Sequence, residues 1–305
     1  MKFWDDLKKS YFFYSFKRDK VAVVSFFLLV LLIGASVLAP VIAPHNPYDS
    51  ATIDVMDAEQ PPSWMPDGDK RFLLGTDAQG RDMLSTMLYG MRISIFIGLG
   101  AVALQALIGV LVGLLSGYFG GKIDSFLMRL ADVQLSFSTM MVAIFLSAIF
   151  QAAFGVANYA ELAVPFLVLV IGIAEWPQYA RTVRASVLAE RKKEYVEAAR
   201  VIGLPSARIM LRHILPNCLS PLLVISTVQV ANAIMSEAAL SFLGLGMPVT
   251  KPSLGSLINS GFEFIFSGSW WISMYPGLLL VLLILVINLL GDWLRDVLNP
   301  RLYKE

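Results

Sequence analysis

Long apolar runs separated by short polar stretches dominate this chain. A helix rises 1.5 Å per residue, so about 17–25 apolar residues cross the hydrocarbon core of a bilayer. Six stretches reach that length: 21–42, 93–117, 126–150, 162–179, 219–243 and 276–294. The pattern predicts an all-α polytopic membrane protein with six transmembrane helices. The first run exceeds the apolar core of a signal peptide, about 7–15 residues. Its far end, Leu38-Ala39-Pro40, puts proline where cleavage needs a permissive residue. It reads as a retained anchor helix. The chain then divides into a tail (1–20), the anchor (21–42), an external segment (43–92), a core domain (93–294) with a polar loop at 185–216, and a second tail (295–305). Residues 1–20 mix Phe3, Trp4, Tyr11, Phe12, Phe13, Tyr14 and Phe16 with basic residues. That mixture fits an interfacial amphipathic helix or an irregular tail beside an aromatic belt.

Charge sets the orientation. One side of the six-run topology holds Lys2, Lys8, Lys9, Lys17, Arg18, Lys20, Lys122, Arg129, Arg181, Arg184, Arg191, Lys192, Lys193, Arg200, Arg208, Arg212, Arg295, Arg301 and Lys304. The other holds Lys70, Arg71, Arg81, Arg92 and Lys251. Cytoplasmic loops carry the excess of Lys and Arg, so both termini and the polar loop are expected in the cytoplasm. Charged residues make up 15% of the chain, against about 25% in soluble domains. The net charge of +1 is segregated by loop rather than gathered in a basic patch, which argues against nucleic acid. A single cysteine, Cys218, excludes an intrachain disulfide, and two histidines make a His-ligated catalytic metal an unsuitable reading.

The acids of the external segment, Asp49, Asp54, Asp57, Glu59, Asp67 and Asp69, lack EF-hand spacing and read as a solvated loop. Trp270 and Trp271 are expected at a lipid–water boundary. Gly109, Gly113 and Gly117 lie on one helix face and predict close approach of a second helix, in this chain or another. Arg129 and Asp132 are spaced to pair on one face, and Glu175 marks the end of its run. Glu237 lies deeper and either faces a translocation path or bonds to a neighbouring helix. The nearest approach to a phosphate-binding loop, Gly120-Gly121-Lys122, has Ile123 where Ser or Thr is required and Ser116 in place of the first glycine. No cofactor site is read in this chain.

The stretch 194–221 is polar and Arg-rich between two apolar runs. Leu188, Tyr195, Ala199 and Ile202 share a helical face. Gly203 suits a left-handed cap, and Pro205 stops the helix. Ser206 is placed to cap a second short helix with an apolar stripe of Ala207, Met210, Leu211 and Ile214. An apolar stripe on a tethered helix suits a groove on a partner protein.

Glu197-Ala198-Ala199, Gly203 and Leu215-Pro216 resemble the EAA loop of bacterial ABC importer permeases. Gly75-Thr76-Asp77, Gly80-Arg81-Asp82, Ser85, Gly90, Arg92 and Ser94 are similar to the segment before the second span in the dipeptide, oligopeptide and nickel group, in its C-type subunit. So are Glu237 through Gly246, Asn288 through Asp292, Leu294-Arg295-Asp296 and Asn299-Pro300-Arg301. Thr86, Leu254 and His213 depart from the usual residues. Ser138 replaces a usual proline, which implies a straighter third helix.

The resemblance implies a type I ABC importer permease fold and no ATPase activity in this chain. It implies a B-type permease partner, two ABC ATPase subunits that bind ATP and Mg²⁺, an extracytoplasmic binding protein, and a small cargo such as a di- or oligopeptide. Glu197, Ala198, Ala199, Gly203, Ser206, Arg208, Met210 and Leu211 are the expected coupling residues, with Glu237 a candidate for the path. The rival reading is a gradient-driven transporter or channel acting alone, which favours an internal repeat, broken helices at the membrane midplane or several buried acids.

Overall fold

A computed structural model describes residues 11–49 and 53–298, side chains excepted at 11–13 and 154–160. Expectations for residues 1–10 and 299–305 lie outside the described residues. The regular structure among the described residues is helical, with one isolated bridge between Thr76 and Asp82.

Two helices open the chain, α1 (Tyr11–Arg18) and α2 (Lys20–Val37). Asp19 separates them because its carboxylate accepts from the N–H groups of Val21 and Ala22. A short α3 (Ala39–Ile42) follows, with Pro40 in its first turn. The long α4 (Met83–Phe119) comes next, then α5 (Gly121–Ser136) and α6 (Thr139–Glu190). The polar loop holds α7 (Glu194–Val201) and α8 (Ser206–Arg208), the latter continuing through a π turn over Ile209–Ile214 and a 3-10 turn over Leu215–Cys218. The chain closes with α9 (Leu219–Phe242), α10 (Leu254–Phe262) and α11 (Trp271–Val297).

Five helical stretches are long and apolar enough to span a bilayer: Lys20–Val37, Met83–Phe119, Glu161–Glu190, Ser206–Phe242 and Trp271–Val297. A sixth crossing is a broken pair, Gly121–Ser136 with Thr139–Ala153, bent by 89°. The third span is therefore not straight. Replacing proline by Ser138 does not preserve the helix, because Phe137 and Ser138 both adopt extended backbone (ψ 146 and 130).

The bent pair is required by the packing of α4 on α6. A Cβ added at Gly109 would lie 2.3 Å from the Cβ of Tyr179, and one at Gly117 would lie 2.7 Å from the Cβ of Val187. Contacts thus advance in the same direction along both helices, which run parallel. Parallel neighbours need the chain to return to the starting side between them, and residues 121–153 make that return. Phe150 stacks on Phe166 with 3.9 Å between ring centroids. A straight helix would separate them by about 24 Å, so α6 doubles back between these two rings. The glycine stripe packs within this chain: small residues bring the backbones together where larger ones would collide.

At the other end of α4 the 43–92 segment is knitted to the helices. Buried Asp77 and Arg81 pair at 2.6 Å, and Arg81 also donates to the Val249 carbonyl at 2.9 Å. Trp271 is buried and its indole N–H donates to the Thr76 carbonyl at 3.1 Å. It belongs to the core there, with Met83, Met87 and Leu257, and not to a lipid boundary; its neighbour Trp270 is the more exposed ring. The acids of this segment are used locally: Asp57 and Asp69 pair with Arg71 at 2.8 Å, and Glu59 accepts from Ser269. The Arg71 N–H and guanidinium hold the exposed Asp69 carboxyl below the usual range.

Candidate functional site

The polar loop is a folded unit seated on the ends of α4 and α6. Val196, Ala199, Ile209, Met210, Ile214 and Cys218 form a core with Leu114, Val183 and Val187. Arg191 donates to the carbonyls of Gly117 and Tyr118 at 2.8 and 3.3 Å. The Arg200 guanidinium sits 5.2 Å from the centroid of the Tyr118 ring, within cation–π range. Tyr195 donates to Glu190 at 2.5 Å and accepts from Asn217 at 3.1 Å. Burial and the Glu190 carboxylate push its phenol up to about 12, so it remains a neutral donor.

The turn between α7 and α8 is a Schellman motif. Gly203, at φ +81, donates to the Arg200 carbonyl at 2.9 Å, and Leu204 donates to the Ala199 carbonyl at 3.1 Å. Ser206 is the first residue of α8 and makes no side-chain cap; Pro205 holds the cap position. The inward face of α7 is Val196 and Ala199, while Ile202 lies past its end and points outward. Met210 and Ile214 likewise turn inward, and Leu211 outward. Glu197, Ala198, Ser206 and Arg208 are exposed. So the expected coupling residues divide: Ala199 and Met210 hold the loop to the helices, and the others are presented outward. Sequence reasoning missed Val201, which is 88% exposed beside Ile202 at 77%. Two open apolar side chains after an EAA sequence were the available signal.

Ion pairs fix the neighbouring helix. Arg184 grips Asp124 through two hydrogen bonds of 2.6 and 2.7 Å, and Ser116 also donates to Asp124. Asp132 pairs with Arg181 at 2.6 Å rather than with Arg129. The reason is topological: α5 runs antiparallel to the far half of α6, which brings Arg181 across. Both partners are more than half exposed, so the pair contributes little stability.

Glu237 is fully buried. Its carboxylate accepts from Ser94 and Ser241, each at 2.7 Å, and Ser94 in turn accepts from the Leu254 N–H at 3.4 Å. These bonds tie α4, α9 and α10 together. Of the two readings the sequence left open, the geometry shows the bond to a neighbouring helix.

A second carboxylate, Glu175, is buried as well. Glu175 does not merely end its run; it sits between α4, α6 and α9. It accepts from Gln105 at 3.2 Å, Gln229 at 3.4 Å and Ser236 at 3.1 Å. Pro177 within α6 lacks an N–H and frees a carbonyl one turn back, a defect that polar side chains of neighbouring helices tend to satisfy. The carbonyl so freed is that of Ile173; Gln105 and Gln134 donate to its neighbours, the carbonyls of Ile171 and Ala174, each at 3.4 Å. Beside this cluster lies a cavity of about 1010 Å³ whose wall includes Gln178, Asn217, Ser220, Gln229, Asn232 and Arg295.

Residues 109–304 match the family model described as the binding-protein-dependent transport system inner membrane component. The chain belongs to that family. Residues 10–62 also match the N-terminal TM domain of oligopeptide transport permease C. The chain is 37% identical to the di/tripeptide transport system permease protein DppC of Pseudomonas aeruginosa, over 95% of this chain and 91% of that one. It is 40% identical to the dipeptide transport system permease protein DppC of Escherichia coli K12, over 95% and 92% of the two chains. It is 36% identical to the Haemophilus influenzae protein of the same name, over 95% and 94%. Among solved structures it resembles a chain of the inward-facing MetNI methionine ABC transporter, with TM-score 0.56 and 18% identity, over 71% of this chain and 98% of that one. That likeness concerns the fold, which is the ABC importer permease fold.

Proposed function

We propose that this chain is the C-type permease subunit of an ATP-driven importer of di- and oligopeptides. The observation that carries this reading is similarity at 36–40% identity, over 95% of the chain, to permeases named for dipeptides. A B-type permease would complete the translocation path. Two ABC ATPase subunits would bind ATP and Mg²⁺, and an extracytoplasmic binding protein would deliver the peptide. The termini and the 185–216 loop would face the cytoplasm, and the chain itself would hydrolyse no ATP.

The loop's construction suits a mechanical coupling role. Glu197, Ala198, Val201, Ile202 and Leu211 offer a carboxylate, a small residue and open apolar groups to a partner groove. Ala199 and Met210 anchor the same loop inward, and Arg191 ties it to the end of α4. A push on the exposed face is thereby delivered to α4 and α6, which the glycine stripe packs together. Rigid helices joined by such an anchored loop are suited to rocking between two discrete arrangements. The gradient-driven alternative gains a second membrane-embedded acid in Glu175, but membership in a binding-protein-dependent family supports the ATPase-coupled reading.

The test is uptake of labelled dialanine into cells that lack their own dipeptide permeases and carry this chain with its partner subunits. Uptake that needs both this chain and intact ATPases supports the reading. Uptake by this chain alone, or ATP hydrolysis by the purified single subunit, would overturn it.

A further inference from the structure

Glu175 is buried near the middle of the membrane-spanning helices without a counter-charge. It is 9% exposed, and the ion pairs among the described residues do not include it. Its neighbours all donate. The Ile171 carbonyl can only accept, so the Gln105 amide turns its NH₂ toward that oxygen and toward Glu175. The Gln105 Oε1 then accepts from Gln229, at 3.3 Å, and the Gln229 Oε1 accepts from Asn232 at 3.0 Å. This one-way chain of amides orients donors at the Glu175 carboxyl. Oε2 takes two of these donors and Oε1 takes Ser236.

Taking a carboxylate out of water costs several kcal/mol, which neutral donors offset only in part. In lipid such a group belongs beside a cation or a functional path. The cavity reaches this cluster through Gln229 and Asn232, and its other end carries Asn217 and Arg295 of the Lys- and Arg-rich side. Its volume of about 1010 Å³ is in the range of small-molecule sites.

We propose that Glu175, oriented by Gln105, Gln229 and Ser236, is a membrane-embedded subsite for the ammonium group of the transported solute. The inference rests on the reading that a peptide-like solute passes through this chain. The solute's ammonium approaches past Gln229 and Asn232, which line the cavity, and supplies the missing positive charge in transit, so a free amino terminus is recognised in the membrane as well as at the binding protein.

The experiment uses the complete complex in proteoliposomes, with Asn232→Cys on a Cys218→Ala background. The introduced thiol is modified with a trimethylammonium-ethyl or a sulfonatoethyl methanethiosulfonate. The cation-to-anion rate ratio is expected to fall at least about tenfold when Glu175→Gln is added, since one buried unit charge acts at short range. Dialanine is expected to slow modification when Glu175 is present, and N-acetyl-dialanine is not. Equal ratios in the two backgrounds, or equal protection by both peptides, would overturn the proposal. Should Asn232→Cys fail to assemble, Val228→Cys, on the same cavity wall, gives the same readout. Dialanine uptake by the wild-type complex reports separately on transport. Absent uptake with the ammonium preference intact faults the importer reading alone. Uptake without that preference faults the subsite alone.

Discussion

The Arg191 guanidinium donates to the Gly117 carbonyl at 2.8 Å, joining the first residue after α6 to the last turn of α4. The final carbonyls of a helix have no partner of their own and carry its negative end. Arg191 supplies both a donor and a positive charge there, and in doing so fixes the polar loop to the helix that packs along α6. Arg191→Ala should cost about 1.5 kcal/mol, the lower end for a charge-assisted hydrogen bond, because the site is only part-buried. A fall in the melting temperature of the purified complex, together with reduced uptake, is the expected outcome. Arg191→Lys should restore most of it, since both bonds come from one nitrogen, Nη1, and an ammonium can likewise donate to two carbonyls.

Gly203 tests the turn. Its φ of +81 is left-handed, yet a Cβ there would meet nothing within 4 Å. The cost of Gly203→Val is therefore conformational, about 1–2 kcal/mol, and falls on the angle between α7 and α8. The variant should insert in the membrane at wild-type levels, lose uptake, and retain less ATPase on co-purification. Glu197→Ala should show a milder form of the same defect.

Gly113 tests the α4–α6 seam. A Cβ there would stand 2.7 Å from the Ala180 carbonyl oxygen, a backbone atom that cannot swing aside. Gly113→Leu should destabilise the protein by more than the about 1–3 kcal/mol usual for overpacking. Fluorescence-detected size exclusion should show aggregated or absent protein, whereas Gly277→Leu, with nothing near its Cβ position, should elute normally.

Orientation is tested by single cysteines at Lys192, Asp57 and Ser260. An impermeant maleimide on intact cells should label the last two positions and not the first. Labelling at position 192 from outside would reverse the topology and remove the loop from its proposed partner.

Helix existence was legible because apolar length alone decides it, and the Gly203 turn was legible because glycine followed by Pro205 has few other uses. Three features were not. The bend at Phe137 and Ser138 is invisible without a proline to announce it. The partner of Asp132 depends on α5 and α6 running antiparallel, a tertiary fact that places Arg181 nearer than the local Arg129. The Glu175 cluster draws Gln105, Gln229 and Ser236 from separate helices, and no spacing in one helix predicts their meeting. In the loop, the apolar spacing runs a helical face through Ile202, but the Schellman turn ends the helix there and leaves that side chain open.

The exposed face of the 185–216 loop is the proposed seat of a partner ATPase. The most direct measurement is photocrosslinking from a benzophenone amino acid placed at Ile202, with Met210, which is buried, as the control. In cells expressing the whole transporter, Ile202 should give an adduct of this chain with the ATPase subunit and Met210 should give none. An ATPase adduct absent from Ile202, Ala198 and Leu211 alike, in a complex that still takes up dipeptide, would contradict the account.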